Sequence, residues 1–420
     1  MAKPRVLVLG GNFAGLAAAQ EIRRLAQDQV EIAVMDKKPY LLFVPNIGLE
    51  VLADRDPAAS LLMLTPPILH EDDIAFIPGE VKEIDVDRQT VSFVPSERPG
   101  APSQETSYDY LVVALGARLA YDQIEGFAEH GHSVSDTYLG NRLRHYLYHE
   151  YRGGPIAIGS ARFHQGTMTQ DLIPTAEAAC EGPPVETALS LGSWLQKRKL
   201  GGPQQITLFT PAEVIAEDAG KPVVDALLKL AGEMGYQYWN HTIDVVRLTA
   251  EGIEFADGRT LEAELKIIFP DWVPHPFMQG LPISDDRGFV LTDRTMRHPK
   301  YRNVLAAGDA AALTVPKLGW LAHLGADVVA RQIAADVGRL DPEEATLPFR
   351  PSVNCIGDMG EHQAFYINSD AWWGGEKAVL RVGRMPYLMK KQYKDLFFRT
   401  HGKVPNWGMP LAEFLIEHLS

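Results

Sequence analysis

The sequence predicts an α/β protein with two doubly wound, parallel-sheet units and a C-terminal amphipathic region. Three observations carry this. The aliphatic run Arg5-Val6-Leu7-Val8-Leu9 leads into the glycine-containing turn Gly10–Gly15 and then a helical stretch. A second strand-then-glycine unit opens at Gly153-Gly154-Pro155. From Arg384 onward the charge reverses, to +3 against −17 for the residues before it.

Length and composition set the outer limits. A chain of 420 residues exceeds the roughly 250–300 at which a single core stops growing, so several domains are expected. With 46% hydrophobic and 22% charged residues, disordered, collagen-like and coiled-coil chains are excluded. Two cysteines are too few for a disulfide framework or a Cys-rich zinc or iron–sulfur site. A net charge of −14 argues against nucleic-acid binding, which needs a basic footprint. No apolar run reaches the roughly 18 residues of a membrane span, and no secretory signal is visible at the N-terminus.

The first strand is aliphatic throughout, as befits burial on both faces. The expected helix covers Leu16 to Leu25, and a second strand covers Glu31 to Met35, ending at Asp36. Ala75–Pro78, Glu80–Val86 and Thr90–Val94 are short strand-like pieces, with a polar hairpin tip over Glu97–Thr106. Tyr110–Leu115 is a buried strand ending in Gly116. In the second unit the strands are Pro155–Gly159 and Ile206–Phe209; Val245–Phe255 and Thr260–Phe269 suggest a hairpin. Asn303–Ala307 is a buried strand, followed by a helix from about Leu318 to Val337. The expected domains are 1–150, a second unit over 151–285, a return to the first over 286–345, and a C-terminal domain over 346–420.

Gly10 and Gly15 stand at the first and third glycine positions of a dinucleotide turn, with Asn12 at the second. Asn tolerates left-handed backbone, so it need not break the turn. The helix beginning over Phe13 and Ala14 offers free N–H groups and positive dipole to a pyrophosphate, and Asp36 is placed to accept from a ribose hydroxyl. Tyr108–Gly116, with Ala114 and Gly116 at its end, resembles the internal motif of two-dinucleotide flavoproteins. Asn303–Ala311, containing Gly308 and Asp309, resembles their second FAD motif. FAD is therefore the expected cofactor, in a pair of Rossmann-like domains of the FAD/NAD-linked reductase type. The second unit is degenerate: Ser160, Ala161, Arg162 and Phe163 follow Gly159, and Thr210 ends the next strand in place of an acid. NAD(P)H binding there is expected to be lost.

The cysteines lie 175 positions apart, in the contexts Cys180-Glu181-Gly182-Pro183-Pro184-Val185-Glu186 and Cys355-Ile356-Gly357-Asp358-Met359-Gly360. On spacing alone they would be two unrelated buried thiols. With Pro316-Lys317-Leu318-Gly319, these motifs resemble the sulfide:quinone oxidoreductases, relatives of flavocytochrome c sulfide dehydrogenase and type II NADH:quinone dehydrogenases. The resemblance runs from about residue 4 to 405. It implies that Cys180 and Cys355 form a redox disulfide at the flavin, and that Lys317 and Gly319 adjoin the cofactor. Lys37, Asn46 and Val81 are counted as further FAD contacts, and Glu186 as a proton carrier near Cys180. Hydrosulfide would attack the disulfide and leave a persulfide on Cys180; the electrons would pass through FAD to a quinone. The chain departs from the family in having Ser135 where many members carry a third cysteine, and Leu318 for Thr. Tyr40–Asn46 has no Cys, so the FAD is expected to be non-covalent.

His132, His164 and His401 are scattered without ligand spacing, so no metal is expected. In the tail, Arg384, Lys390, Lys391, Lys394, Arg399 and Lys403 interleave with Tyr387, Leu388, Tyr393, Leu396, Phe397, Phe398 and Trp407. Such a helix can lie in a membrane interface. Leu411–Leu419 would form a second one, and Phe397 and Phe398 would stack on a quinone. The expected partners are sulfide, quinone and a membrane surface, with no nucleic acid and room for a homo-oligomer. The expected location is peripheral (monotopic) on the cell membrane, on the cytoplasmic side. Two other functions remain open from sequence, an NADH:quinone dehydrogenase and a non-catalytic redox-sensing flavoprotein.

Overall fold

A computed structural model describes residues 2–98, 100–313, 315–403 and 414. Two sheets organise it. The first has seven strands in the order Val304–Ala306, Tyr110–Val113, Arg5–Leu9, Glu31–Asp36, Ala75–Asp85, Thr90–Pro95, Gln104–Ser107. The first five run parallel and the last two close it with an antiparallel meander. Val6, Leu7, Val8 and Leu9 are wholly buried in the middle of this sheet. Helix Phe13–Ala26 packs on helix Gly319–Asp336. That second helix is apolar almost all round, burying Leu321, Ala322, Gly325, Ala326, Val328 and Val329, as expected for one enclosed between sheet and neighbour.

The second sheet has five parallel strands, in the order Gly131–His132, Leu265–Phe269, Ile156–Ser160, Ile206–Phe209, Gln237–Trp239. Here the expected hairpin divides differently. Val245–Leu248, Gly252–Phe255 and Thr260–Glu262 form a separate antiparallel sheet, while Leu265–Phe269 joins the parallel one. Each of its five residues is buried, which a solvated hairpin arm would not be. Ala75–Asp85 is likewise one strand with a bulge at Val81/Glu83, not two pieces.

The C-terminal region contributes a three-stranded antiparallel sheet, Val353–Gly360, Gln363–Ser369 and Ala378–Gly383. Helix Arg384–Arg399 crosses it. Residues 404–413, with Trp407, and most of the expected Leu411–Leu419 helix lie outside the described residues. Among the described residues no helix is long and apolar enough to cross a membrane.

Candidate active site

The first turn is built by close backbone approach. Gly10 has φ +99°, and a Cβ there would overlap the Ala114 carbonyl. A Cβ at Gly15 would overlap the Gly10 carbonyl. Asn12 corrects one expectation, because its backbone is extended (φ −90°), not left-handed. It is tolerated as the helix N-cap, its Oδ1 accepting from Phe13 N at 3.0 Å. Asp36 ends its strand as foreseen; Oδ2 accepts from Gly11 N (2.6 Å) and Oδ1 from Lys38 N (2.8 Å). Lys37 is exposed and paired with Glu80 at 3.4 Å, while Asn46 and Val81 are buried.

The second FAD-type motif meets the first at Gly308, whose Cβ would lie 2.7 Å from the Ala14 Cβ. Burial pushes the Asp309 carboxyl up to about 6 and the Lys317 ammonium down to about 8, each opposed by the other's charge. Lys317 Nζ donates to Ala311 O at 3.1 Å. A Cβ on Gly116 or Gly319 would meet nothing within 4 Å, so both border open space. His323 Nε2 is buried without a partner. A tight turn, a free helix N-terminus, a buried acid–base pair and this open flank fit an FAD.

The two thiols come together from positions 175 apart in the chain. Cys180 precedes helix Gly182–Arg198, which Pro183 and Pro184 start. Cys355 is on strand Val353–Gly360, and its Sγ lies 3.3 Å from where a Gly182 Cβ would sit. Both are free thiols, and no disulfide joins them here. Burial pushes Cys180 well above its ordinary value, with the Asp218 charge adding to it. It pushes Cys355 up to about 12, with Glu186 raising it further and Lys390 opposing. The Glu186 charge is the largest of those acting on Cys355. Its carboxylate accepts from Asp358 N (3.0 Å) and pairs with Lys390 Nζ (2.9 Å). Lys390 also donates to Pro45 O (2.9 Å) and Ile356 O (3.1 Å), which fixes the C-terminal helix to the thiol strand.

Residues 161–181 carry no helix or strand; Phe163 is 5% exposed and packs edge-on to Phe289, ring centroids 6.0 Å apart. Lys317 Nζ stands over both rings, 4.4 Å from Phe289 and 5.5 Å from Phe163. Lys317 N also donates to Ala179 O at 2.7 Å. Ser135 Oγ lies 2.6 Å from Tyr121 OH, which in turn donates to Ser133. Phe397 is a core residue, packed on Phe13 (5.6 Å) and Phe43 (5.2 Å), whereas Phe398 is half-buried. Among the described residues, no cluster of His, Cys, Asp or Glu is placed to hold a metal.

Three residues of this site were missed from sequence. In the sequence Lys390 is one basic residue of an interfacial helix, and nothing in its neighbours marks it as buried. Glu181 and Asp218 are buried carboxyls beside Cys180, 4% and 8% exposed. Only the adjacency of Glu181 to a cysteine could have drawn notice.

Residues 4–146 match the family described as Pyridine nucleotide-disulphide oxidoreductase. A sulfide-quinone reductase of Aquifex aeolicus is 25% identical over 99% of this chain and 96% of its own. The crystal structure of the Aquifex aeolicus sulfide:quinone oxidoreductase superposes with a TM-score of 0.82 at 22% identity, over 99% and 96% of the two chains. An NADH dehydrogenase-like protein of Mycobacterium tuberculosis is 28% identical over 73% of each chain. What fold and turn define together is a flavoprotein oxidoreductase of the two-dinucleotide type. Within that class, the full-length likeness is to the sulfide:quinone oxidoreductases, the same family that the cysteine motifs resemble.

Proposed function

We propose that this chain oxidises sulfide at a Cys180–Cys355 redox pair and delivers the electrons through bound FAD to a quinone at a membrane surface. The observation that carries it is the meeting of Cys355 Sγ with the helix start that Cys180 precedes. Hydrosulfide attacks Cys180 Sγ of the oxidised pair. The new S–S bond leaves a persulfide on Cys180, and the Cys180–Cys355 bond breaks to free Cys355 as a thiolate. That thiolate is poorly stabilised in its buried site, which makes it a strong nucleophile and favours onward transfer. Bound FAD would supply the two-electron acceptor that connects the thiols to quinone. Glu186, held against Lys390 and acting electrostatically on Cys355, is the carrier for a proton leaving or reaching that thiol.

Membrane attachment is supported by helix Arg384–Arg399, whose exposed face carries Leu388 (44%) and Leu396 (40%) beside Arg384, Lys391 and Arg399. Since Lys390 and Phe397 are core residues, truncation would damage the body. Leu388→Glu with Leu396→Glu is the cleaner probe, and should release the protein from membranes.

The mycobacterial likeness favours a second function, NADH:quinone reduction. Phe163, buried after the degenerate second turn and packed on Phe289, weighs against it. Anaerobic addition of sulfide or of NADH, followed by quinone, separates the two. Sulfide should bleach the flavin absorbance, quinone should restore it, and Cys355→Ser should abolish the bleaching. Bleaching by NADH alone, or full sulfide activity in Cys355→Ser, would sink the proposal.

A further inference from the structure

Attack on the disulfide needs hydrosulfide, and a buried site favours the neutral form, hydrogen sulfide. A base must therefore take its proton. Asp218 occupies the turn Glu217–Ala219 and is 8% exposed. The turn is held to the cysteine segment by Glu181, which follows Cys180 and accepts from Ala216 N at 2.6 Å. From the other side it packs on the turn Ala371–Trp373, where a Gly220 Cβ would lie 2.8 Å from the Ala371 Cβ. So placed, the Asp218 charge acts on both Cys180 and Cys355.

We propose that Asp218 is the proton acceptor for hydrogen sulfide at the cysteine pair. This rests on the sulfide function proposed above. Asp218 takes one proton from hydrogen sulfide as the sulfur bonds to Cys180 Sγ. The Cys180–Cys355 bond breaks, and Cys355 departs with the electron pair. The substrate sulfur is oxidised to the persulfide level and Cys355 is reduced to a thiolate. One negative charge moves from Asp218 to Cys355, and no second charge is created in the buried site. A carboxylate at Asp218 opposes a thiolate at either cysteine; once protonated it no longer does.

The surroundings suit a base of matched strength. Burial, with Glu217 beside it, pushes Asp218 up to about 7. Burial raises the neighbouring Glu181 as well, to about 8. The charged groups on neighbouring elements are turned to other partners. Lys221, opening the next helix, pairs with Asp225, and Asp370 accepts from Lys377 N. Glu181 Oε1 is itself buried without a partner.

The test is anaerobic stopped-flow reduction of the flavin by sulfide in wild type and Asp218→Asn, with sulfite at about pH 8.5, where it is the unprotonated dianion, as a proton-free nucleophile for the same disulfide. At about pH 6, Asp218→Asn should be slower with sulfide by roughly 10²-fold or more. The deficit should shrink towards about pH 8.5, as solution supplies hydrosulfide. Release of one thiol by sulfite should be equal in both proteins. Equal sulfide rates at low pH overturn the assignment, and so does a matching loss with sulfite. If Asp218→Asn does not retain FAD, Asp218→Glu carries the test, and must keep most of the rate at low pH. A wild type that sulfide does not bleach overturns the sulfide function itself; normal wild-type bleaching with an unaffected Asp218→Asn overturns only the role of Asp218.

Discussion

Lys390 Nζ lies 2.9 Å from Glu186 Oε1, joining positions 204 apart in the chain across the strand that bears Cys355. Side-chain exposures of 5% and 19% make this a buried pair, unlike the solvent-exposed pairs that contribute little. Breaking it leaves one uncompensated charge. Lys390→Met should therefore lower unfolding stability by about 3–5 kcal/mol, read by chemical denaturation of the holoenzyme. Lys390→Met with Glu186→Leu should cost much less, because no charge is left alone. A double variant as unstable as the single would show that packing of the lysine stem dominates.

Glycine substitutions in the first domain should act in opposite directions. At Gly15 a Cβ would collide with the Gly10 carbonyl and come within 3.4 Å of the Ala114 Cβ, both fixed parts of the turn. Gly15→Ala should purify without flavin, as read from its visible absorbance. At Gly48, in helix Ile47–Leu52, a Cβ meets nothing within 4 Å. Gly48→Ala should stabilise the protein by about 0.5–1 kcal/mol with flavin retained.

What was legible from sequence is what is local. The strand Arg5–Leu9, the turn at Gly10 and Gly15, and Asp36 depend on near neighbours and a buried-strand pattern. That Asn12 caps the helix instead of adopting left-handed backbone was not legible, since a cap depends on side-chain direction that residue type alone leaves open. Leu265–Phe269 was assigned to a hairpin because antiparallel and parallel strands look alike until both faces are known to be covered. Lys390 and Asp218 were invisible as site residues. Lys390 is set by its bonds to Glu186 and Pro45, and the Asp218 turn by the bond from Ala216 N to Glu181, all to partners far away in sequence.

The thiols of the reduced protein should be sluggish towards alkylation. Burial disfavours the thiolate at both, pushing Cys355 up to about 12 and Cys180 well above its ordinary value. The thiolate is the reacting form, so iodoacetamide at neutral pH should modify them on the order of 10²-fold or more slower than a small thiol. The rate should climb steadily through pH 9 instead of levelling near the usual thiol pKa of about 8.5. Rapid, pH-independent modification would mean that a nearby cation stabilises the thiolate more than burial opposes it. In Lys390→Met, which removes the cation acting on Cys355, the rate should fall further.

The Glu181 carboxyl should leave a signature in how stability depends on pH. Burial raises it from 4.5 to about 8 in the folded protein, outweighing the hydrogen bonds from Thr210 and Ala216 that lower it. Between those values the folded state holds a proton that the unfolded state releases. Its stabilising contribution is full below about pH 4.5 and is lost as pH rises towards 8. Gln at this position keeps an oxygen for Ala216 N and does not titrate. The difference in unfolding free energy between Glu181→Gln and wild type should therefore move in favour of the variant as pH rises from about 5 to 8. His132 and His323 have the opposite sign, held neutral by burial at about 3 and about 4, but they are common to both proteins and cancel in the difference. Parallel stability curves for the two proteins would mean that Glu181 is ionised in the fold, with a base near it sharing its proton.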